Sequence, residues 1–270
     1  KPTQRRIKKS PPNQIIGVTI MIPITIKLKS LLPWIFFGLR EIFRMALDLV
    51  LRRGPREEQL AAYVEKNARP GDIDDALRVI DIFAKKRFLM NVGIEKGKIL
   101  DDAMEKAQAK RVLEMGCYCG YSALRIGRFL QQTGGKLISL EKSEAFASYA
   151  SRVVAHAGLS DFVEIRVGTA DEQIPELDQA FDVVFIDHWK DSYLPDLKAL
   201  ESADLLAPGA TVIADNVGIF ESTLVAYLDY VRTSGKYSSV HYKAPMEYFK
   251  AIDDGVEVSI WNGQAGELAA

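Results

Sequence analysis

The chain has little cysteine and little histidine. Its 270 residues contain two cysteines and three histidines. Cys117 and Cys119 are separated by a single residue, and neighbours on one strand are poorly placed to bridge each other. A zinc site needs about four ligands at regular spacing, which the scattered histidines do not supply. We therefore expect two reduced thiols and exclude a disulfide framework or a zinc centre.

The chain also lacks an excess of charge of either sign. It carries 35 basic and 36 acidic residues, for a net charge of −1. No overall positive field attracts nucleic acid, so we expect no such partner. The charge is unevenly distributed, since residues 1–53 have a net charge of +9 and the remainder a net charge of −10. A cationic N-terminal segment before an acidic body is typical of a segment that lies on anionic lipid or of a solvated tail.

A clear membrane span is missing from the first fifty residues. The longest apolar run, residues 15–26, has 12 residues, whereas a spanning helix needs about 20. Lys27 and Lys29 separate this run from a second one at residues 31–39. Charged residues near the centre of a span cost about 2.5–3.5 kcal/mol each, which nearly cancels the favourable contributions.

The segment after residue 35 has the pattern of an amphipathic helix. Apolar side chains recur at three- and four-residue spacing, with charged residues between them; they are Phe36, Leu39, Phe43, Leu47 and Val50. Such a helix lies in a membrane interface or packs on the body of the protein. We expect membrane association through residues 15–53 and a cytoplasmic catalytic domain over residues 54–270.

Strand and helix patterns alternate through the body of the chain. Helices are predicted within residues 55–68, 72–87 and 96–109, and then apolar runs alternate with helical stretches. The runs are RVLEM, KLISLE, FVEIRV, FDVVFI and TVIADN. Strands rich in Val, Ile and Leu between helices predict a mostly parallel sheet with helices on both faces. SSVHYKA and VEVSIW add two C-terminal strands, so we predict one doubly wound, Rossmann-like α/β domain.

A glycine-containing turn follows the first predicted strand. In LEMGCYCGYS, Gly116 and Gly120 frame a turn into a helix, where the backbone can approach a ligand closely. The spacing differs from the dinucleotide fingerprint, and Glu114 would repel a pyrophosphate. An acid there suits a ligand with a positive group, such as the amino end of S-adenosylmethionine. Glu141 ends the second strand, where a carboxylate can accept the ribose hydroxyl hydrogens.

Acidic and amide side chains follow two further strands. Asp187 ends the fourth strand, and Asp215 with Asn216 ends the fifth. Oxygen ligands without His or Cys predict Mg²⁺ at this edge of the sheet. Lys190 lies three residues after Asp187. A nearby cation and partial burial lower the pKa of a lysine, which would make Lys190 a usable general base.

These segments resemble the catechol O-methyltransferase family. MNVGIEKGKI, LEMGCYCGYSALR, FIDHWKDSYLPD, ADNV and MEY match that family's signature segments in order. The likeness covers about residues 55–262, and the N-terminal region is similar to a membrane-bound form. It implies a class I methyltransferase fold with an antiparallel C-terminal strand. It also implies Mg²⁺-dependent transfer of the methyl group of S-adenosylmethionine to one hydroxyl of a small-molecule catechol.

The resemblance also implies individual roles. Asp187, Asp215 and Asn216 would bind Mg²⁺. Lys190 would take the hydroxyl proton, and Glu247 would hold the second hydroxyl. The residues expected at the donor are Met90, Asn91, Val92, Gly116, Tyr118, Ser122, Glu141, Gly168, Ala170, Asp171, His188 and Trp189. Those expected at the acceptor are Phe88, Trp189, Lys190, Asn216, Pro245, Met246 and Glu247.

The sequence departs from the family at three places. Phe88 stands where the family has a tryptophan, Ala170 and Asp171 replace Ser-Gln, and the segment after ADNV lacks a proline-rich loop. A caffeoyl ester or a flavonoid acceptor therefore remains an alternative. A non-enzymatic relative would be expected to have lost a metal ligand or the base, and all of them are present. We expect a monomer.

Overall fold

The computed structural model describes residues 24–263, so the part of the predicted membrane segment before residue 24 lies outside it. The elements, in chain order, are α1 (Ile24–Val50), α2 (Arg56–Asn67), α3 (Ile73–Lys86), α4 (Gly93–Ala107), β1 (Arg111–Met115), α5 (Tyr121–Thr133), β2 (Lys136–Glu141), α6 (Glu144–His156), β3 (Val163–Val167), α7 (Ala170–Gln173), β4 (Phe181–Ile186), α8 (Tyr193–Ser202), β5 (Leu206–Ala214), α9 (Val225–Thr233), β6 (Tyr237–Met246) and β7 (Phe249–Trp261).

Seven strands within the described residues form one sheet in the order β3-β2-β1-β4-β5-β7-β6. The first five strands are parallel to one another. Strand β7 runs antiparallel to both β5 and β6. The sheet therefore confirms the predicted class I architecture with an antiparallel C-terminal strand. The carboxyl ends of the five parallel strands meet at one edge, where α/β proteins bind ligands.

Helices cover both faces of the sheet, as the alternating pattern predicts. Helices α2 to α6 pack on one face against side chains such as Val112 and Val183. Helices α7 to α9 pack on the other face against their neighbours Leu113 and Val184. Successive strand residues point to opposite faces, so these continuous apolar strands supply both cores. Both cysteines are buried and free, which confirms the predicted thiols.

The start of α4 differs from the sequence prediction. The pattern placed this helix from residue 96, whereas it begins at Gly93. The side-chain oxygen of Asn91 accepts a hydrogen bond from the Gly93 N–H at 3.1 Å, which satisfies a free amide at the first turn. Asn91 is buried, and its Nδ2 has no hydrogen-bond partner. The polar group that opens this helix is therefore also available to a ligand.

Helix α1 confirms the predicted amphipathic helix and shows how it is oriented. Its apolar stripe, including Phe36, Leu39 and Phe43, is exposed. The opposite side carries Glu41, whose carboxylate accepts a hydrogen bond from Arg56 at 2.8 Å. The helix thus turns Glu41 toward the domain and most of its apolar stripe away from it, while Phe37 packs on Phe88 and Phe249. Among the described residues, no helix combines the length and hydrophobicity needed to cross a membrane.

Gly116 holds the end of β1 against the end of β4. Its φ is +102°, and an added Cβ would lie 2.5 Å from the carbonyl oxygen of Asp187. Gly134, after α5, also has a positive φ of +73° but has no atom near the Cβ position. The two glycines therefore separate the cost of backbone conformation from the cost of a clash.

We predict that Gly116→Ala destabilises the protein more than Gly134→Ala. The positive φ costs about 1–2 kcal/mol in either variant. Overpacking against the Asp187 carbonyl adds about 1–3 kcal/mol at Gly116 alone. Urea unfolding of both variants measures the difference. Equal losses of unfolding free energy would contradict this account of the β1–β4 contact.

Candidate active site

Three of the predicted site residues, Asp187, Asp215 and Asn216, lie together at the carboxyl edge of the sheet. The backbone N–H of Asp187 bonds to the Met115 carbonyl at 2.9 Å, which carries the ladder one residue beyond β4. The N–H of Asp215 bonds to the Ile186 carbonyl at 3.0 Å, which carries the pairing one residue beyond β5. Asn216 follows with a φ of +59°, a conformation that asparagine tolerates better than most residues. The strand ends therefore place these side chains together, as the sequence predicts.

The predicted base, Lys190, lies within this group. Its Nζ donates to Asp187 Oδ1 at 3.1 Å, to Asn216 Oδ1 at 2.9 Å and to the Tyr193 hydroxyl at 2.6 Å. The Tyr193 hydroxyl in turn donates to the Asp215 carbonyl at 3.1 Å. Tyr193 was not predicted, and it fixes where the lysine head can lie.

Asn216 connects the strand ends to the hairpin between β6 and β7. Its Nδ2 donates to Glu247 Oε1 at 3.0 Å and to Asp254 Oδ2 at 3.1 Å. Because both neighbours are acceptors, the amide nitrogen must face the hairpin. The amide oxygen therefore faces Lys190.

A buried lysine that the sequence analysis missed stands at the centre of the site. Lys96 in α4 is 1% exposed, and its Nζ lies 2.8 Å from Asp215 Oδ1 and 2.7 Å from Asp254 Oδ2. It also donates to Glu247 Oε1. The signal was present in the sequence, because Lys96 shares its helix face with Leu100, four residues later. A lysine on an apolar helix face indicates a buried counter-ion.

Charge compensation makes Lys96 a permanent cation. Burial lowers its pKa, but the surrounding carboxylates of Asp215, Glu247 and Asp254 outweigh burial and raise it above the ordinary value. Burial alone would raise the pKa of Asp254, yet the Lys96 charge and hydrogen bond hold it below its usual range. Burial and neighbouring carboxylates raise the pKa of Asp215 far above its ordinary value, with Lys96 opposing them.

The side chains at this edge carry a net negative formal charge that a divalent cation would neutralise. Four carboxylates, those of Asp187, Asp215, Glu247 and Asp254, meet the ammonium groups of Lys96 and Lys190. Their formal sum is −2. Both side-chain oxygens of Asp215 are buried without a hydrogen bond, because its contact with Lys96 is an ion pair only. The oxygen-only donor set of Asp187, Asp215 and Asn216 therefore fits Mg²⁺.

The residues predicted for a nucleoside gather beside this group. Glu141 Oε2 accepts the Tyr118 N–H at 2.8 Å, which ties the turn after β1 to the end of β2. Gly168, after β3, donates its N–H to the Glu141 carbonyl at 3.0 Å. Ala170 and the exposed Asp171 follow Gly168 at the start of α7. The ends of β1, β2 and β3 thus form one continuous ledge.

Glu114 lies beneath this ledge with no exposure to solvent. Burial raises the pKa of its carboxyl to about 7, although hydrogen bonds from Ser122 and Ser139 oppose the rise. One of its oxygens, Oε1, has no partner. A buried acid with an open acceptor suits a ligand that brings a positive group, as the sequence analysis expected.

The two residues after Asp187 differ in burial and in their contacts. His188 Nε2 pairs with Asp196 Oδ2 at 2.6 Å, which leaves its Nδ1 buried and without a partner. Trp189 is 67% exposed, and the ammonium of Lys142, next to Glu141, lies 5.6 Å from its ring centre. Trp189 therefore stands at the rim between the ledge and the carboxylate group.

Three of the predicted acceptor residues, Pro245, Met246 and Glu247, line a small cavity, whereas Phe88, Trp189, Lys190 and Asn216 are not among its lining residues. Its volume is about 220 Å³, and Val92, Pro245, Met246 and Glu247 are among its lining residues. Met90, two residues before Val92, is exposed. A larger depression of about 580 Å³ lies at the opposite edge of the sheet and contains no predicted site residue. The small size favours a compact acceptor.

The sheet order, the glycine turn and the acid that ends β2 define a class I, S-adenosylmethionine-dependent methyltransferase. The family model described as a methyltransferase domain matches residues 113–217. Among solved structures, the O-methyltransferase TomG from Streptomyces achromogenes, in complex with SAM, is similar with a TM-score of 0.60 at 24% identity. The match covers 71% of this chain and 89% of that chain.

Sequence relatives narrow the class further. Catechol O-methyltransferase B of Danio rerio is 39% identical over 252 residues, which cover 90% of this chain and 92% of the relative. Transmembrane O-methyltransferase of Macaca mulatta is 33% identical over 265 residues, which cover 93% of this chain and 88% of the relative. The chain therefore belongs to the catechol O-methyltransferase family and is a S-adenosylmethionine-dependent O-methyltransferase.

We predict that Lys96→Met destabilises the fold by about 3–5 kcal/mol, because removing one partner leaves buried carboxylates uncompensated. Lys98→Met on the same helix is the matched control. Lys98 is 62% exposed and pairs only with Glu95, so its loss should stay within about 0.5 kcal/mol. Chemical denaturation measures both. A Lys96→Met midpoint equal to that of the control would contradict the role of Lys96.

Proposed function

We propose that the protein transfers the methyl group of S-adenosylmethionine to one hydroxyl of a catechol, in a reaction that requires Mg²⁺. One observation carries the proposal. The oxygen ligands Asp187 and Asn216 share the ammonium of Lys190, and Asn216 also holds Glu247. The proposed cation ligands, the proposed base and the proposed hydroxyl acceptor thus belong to a single hydrogen-bonded group.

Mg²⁺ would be held by Asp187, Asp215 and Asn216. When bound, it would fix two adjacent acceptor oxygens and lower the pKa of one hydroxyl. The net charge of the surrounding side chains and the unbonded oxygens of Asp215 support this assignment. Lys96 stays on the far side of Asp215, where it keeps Glu247 and Asp254 in place.

The chain's own groups orient the acceptor and move its proton. Glu247 would accept a hydrogen bond from the hydroxyl that is not methylated. Lys190 would take the proton of the other hydroxyl at Nζ. The acceptor oxygen then bonds to the methyl carbon as the carbon–sulfur bond breaks, which yields the methyl ether and S-adenosylhomocysteine. Holding both reactants in line supplies much of the acceleration.

The donor would lie along the ledge formed by the ends of β1, β2 and β3. Glu141 would accept the ribose hydroxyl hydrogens, and the open oxygen of Glu114 would accept from the amino group. Gly116 lets the backbone approach closely. Trp189 and Met90 would shield the positive sulfur from water, which favours a transition state in which that charge disappears.

Replacing the proposed base tests the assignment. We expect Lys190→Met to lower kcat by about 10²–10⁴-fold, the usual contribution of a positioned base. Binding of S-adenosylmethionine should be unchanged, because Lys190 contacts none of the ledge residues. Lys198→Met, an exposed lysine on α8, is the matched control. Turnover by Lys190→Met at the rate of the control would show that Lys190 is not the base.

The same assay separates the acceptors. The full chain is incubated with S-adenosylmethionine and catechol, with Mg²⁺ or with a chelator, and the product is detected by mass. Product that forms only with Mg²⁺ supports the proposal. Donor binding without catechol methylation would favour a caffeoyl ester or flavonoid instead, since Phe88 and the segment after Asn216 depart from the family pattern.

We further propose that the outward face of α1 lies on an anionic membrane surface. Leu32, Phe36, Leu39, Phe43 and Val50 are all exposed on this helix. Residues 1–53 carry a net charge of +9, which attracts anionic lipid at about 1 kcal/mol per basic residue near the surface. The name of the Macaca mulatta relative agrees with membrane attachment.

Co-sedimentation with vesicles tests the proposed membrane contact of α1. We expect the full chain to bind vesicles that contain anionic lipid, and Leu39→Glu/Phe43→Glu to bind about tenfold or more weakly, since each buried apolar side chain contributes about 1.5–3 kcal/mol. Val225→Glu, at an exposed position on α9, is the control. Equal binding by the double variant and the control would remove α1 from the membrane contact.

A further inference from the structure

Helix α1 touches the catalytic domain through one aromatic side chain in particular. The ring of Phe37 lies 4.8 Å from that of Phe88 in an edge-on arrangement, and 5.5 Å from that of Phe249. Phe88 precedes the segment that opens α4, whereas Phe249 begins β7 after the hairpin turn. Phe37 therefore bridges two segments that are 161 residues apart in the chain.

Those two segments are the walls of the small cavity. Val92 and Gly93 line one side, and Met246 and Glu247 line the other. The two walls approach each other closely at Gly93, since a Cβ added there would lie 3.4 Å from side-chain carbons of Glu247. Phe37 and the two rings that it contacts do not line the cavity, but Phe88 lies four residues before Val92, and Phe249 lies between Tyr248 and Lys250, which do line it. Phe37 therefore acts on the cavity through the segments that form its walls.

Polar contacts hold α1 in this position. Arg56 donates to Glu41 on α1 at 2.8 Å and to the carbonyl oxygen of Phe88 at 3.2 Å. The side chain of Arg87, next to Phe88, donates to Asp48 near the end of α1. Arg40 lies 5.4 Å from the ring centre of Phe249. These contacts fix the helix to both walls.

We propose that Phe37 is a specificity-determining residue that braces Phe88 and Phe249 and thereby holds the segments that line the acceptor pocket. The inference rests on the proposed function, since it takes this cavity as the acceptor site. Phe37 acts through the two rings that it contacts, and so it is a positioning residue. Without the Phe37 ring, the segments that line the cavity must be ordered when an acceptor binds, and this ordering weakens binding.

The kinetic signature follows from the distances. Among the described side chains, no hydrogen bond or ion pair joins α1 to Lys190 or to the predicted cation ligands, so kcat and donor affinity should be preserved in Phe37→Ala. The KM for catechol should rise about tenfold, which corresponds to about 1.4 kcal/mol. For catechols with bulky ring substituents, KM should rise less, because the segments that Phe37 no longer braces can move apart. A variant that only unfolded partly would instead lose kcat at constant KM.

The experiment compares Phe37→Ala with Phe43→Ala in the full chain, without lipid. Phe43 lies on the same helix and is 70% exposed, so its removal leaves the pocket intact. Phe37→Tyr keeps the ring and should restore the wild-type KM. A raised KM in Phe37→Ala alone, with unchanged kcat, supports the inference.

Two results would overturn it. The first is a wild-type KM in Phe37→Ala, and the second is an equal rise in Phe43→Ala. Both leave the proposed function standing, because wild-type protein would still methylate catechol. If the wild-type protein methylated no catechol, the proposed function would fail and this inference with it.

Discussion

The candidate active site depends on one ammonium group that has no contact with water. Lys96 lies among three buried carboxylates from β5, the β6–β7 hairpin and β7. Without that charge, nothing would offset the desolvation and mutual repulsion of the three buried carboxylates. Lys96 thereby fixes the hairpin against α4, and with it the side of the site that carries Glu247.

The remaining parts of the site follow from that arrangement. Asp254 is anchored by Lys96 and by the N–H groups of Gly218 and Ile219, and it shares the Asn216 amide with Glu247. The amide oxygen of Asn216 is consequently directed at Lys190. A lysine in a helix before β1 thus determines the orientation of a side chain that follows β5.

The sequence predicted the parts of this site that lie at strand ends. Asp187, Asp215, Asn216 and Glu141 each follow an apolar run, and parallel strands place their carboxyl ends at one edge. Asp254 was missed because the predicted last strand began at residue 256, whereas β7 begins at Phe249. The early residues of that strand, FKAIDDG, lack a regular apolar–polar alternation, and their pairing with β6 is a tertiary effect.

Helix α1 also has a feature that the sequence alone could not predict, namely which of its faces meets the domain. Its periodicity was enough to predict an amphipathic helix, and the structure confirms it. Which face meets the protein could not be predicted, because the usual rule places the apolar stripe inward. Here Glu41 and Asp48 find arginine partners on the domain instead. Long-range ion pairs of this kind leave no periodic signature in a sequence.

The most direct test of the central claim is to locate a metal ion in crystals grown with S-adenosylmethionine and Mn²⁺ in place of Mg²⁺. The account predicts one anomalous peak beside Asp187, Asp215 and Asn216. It also predicts that Lys96 still fills the space between Asp215, Glu247 and Asp254. A peak in the position of Lys96, or no peak at this edge of the sheet, would contradict it.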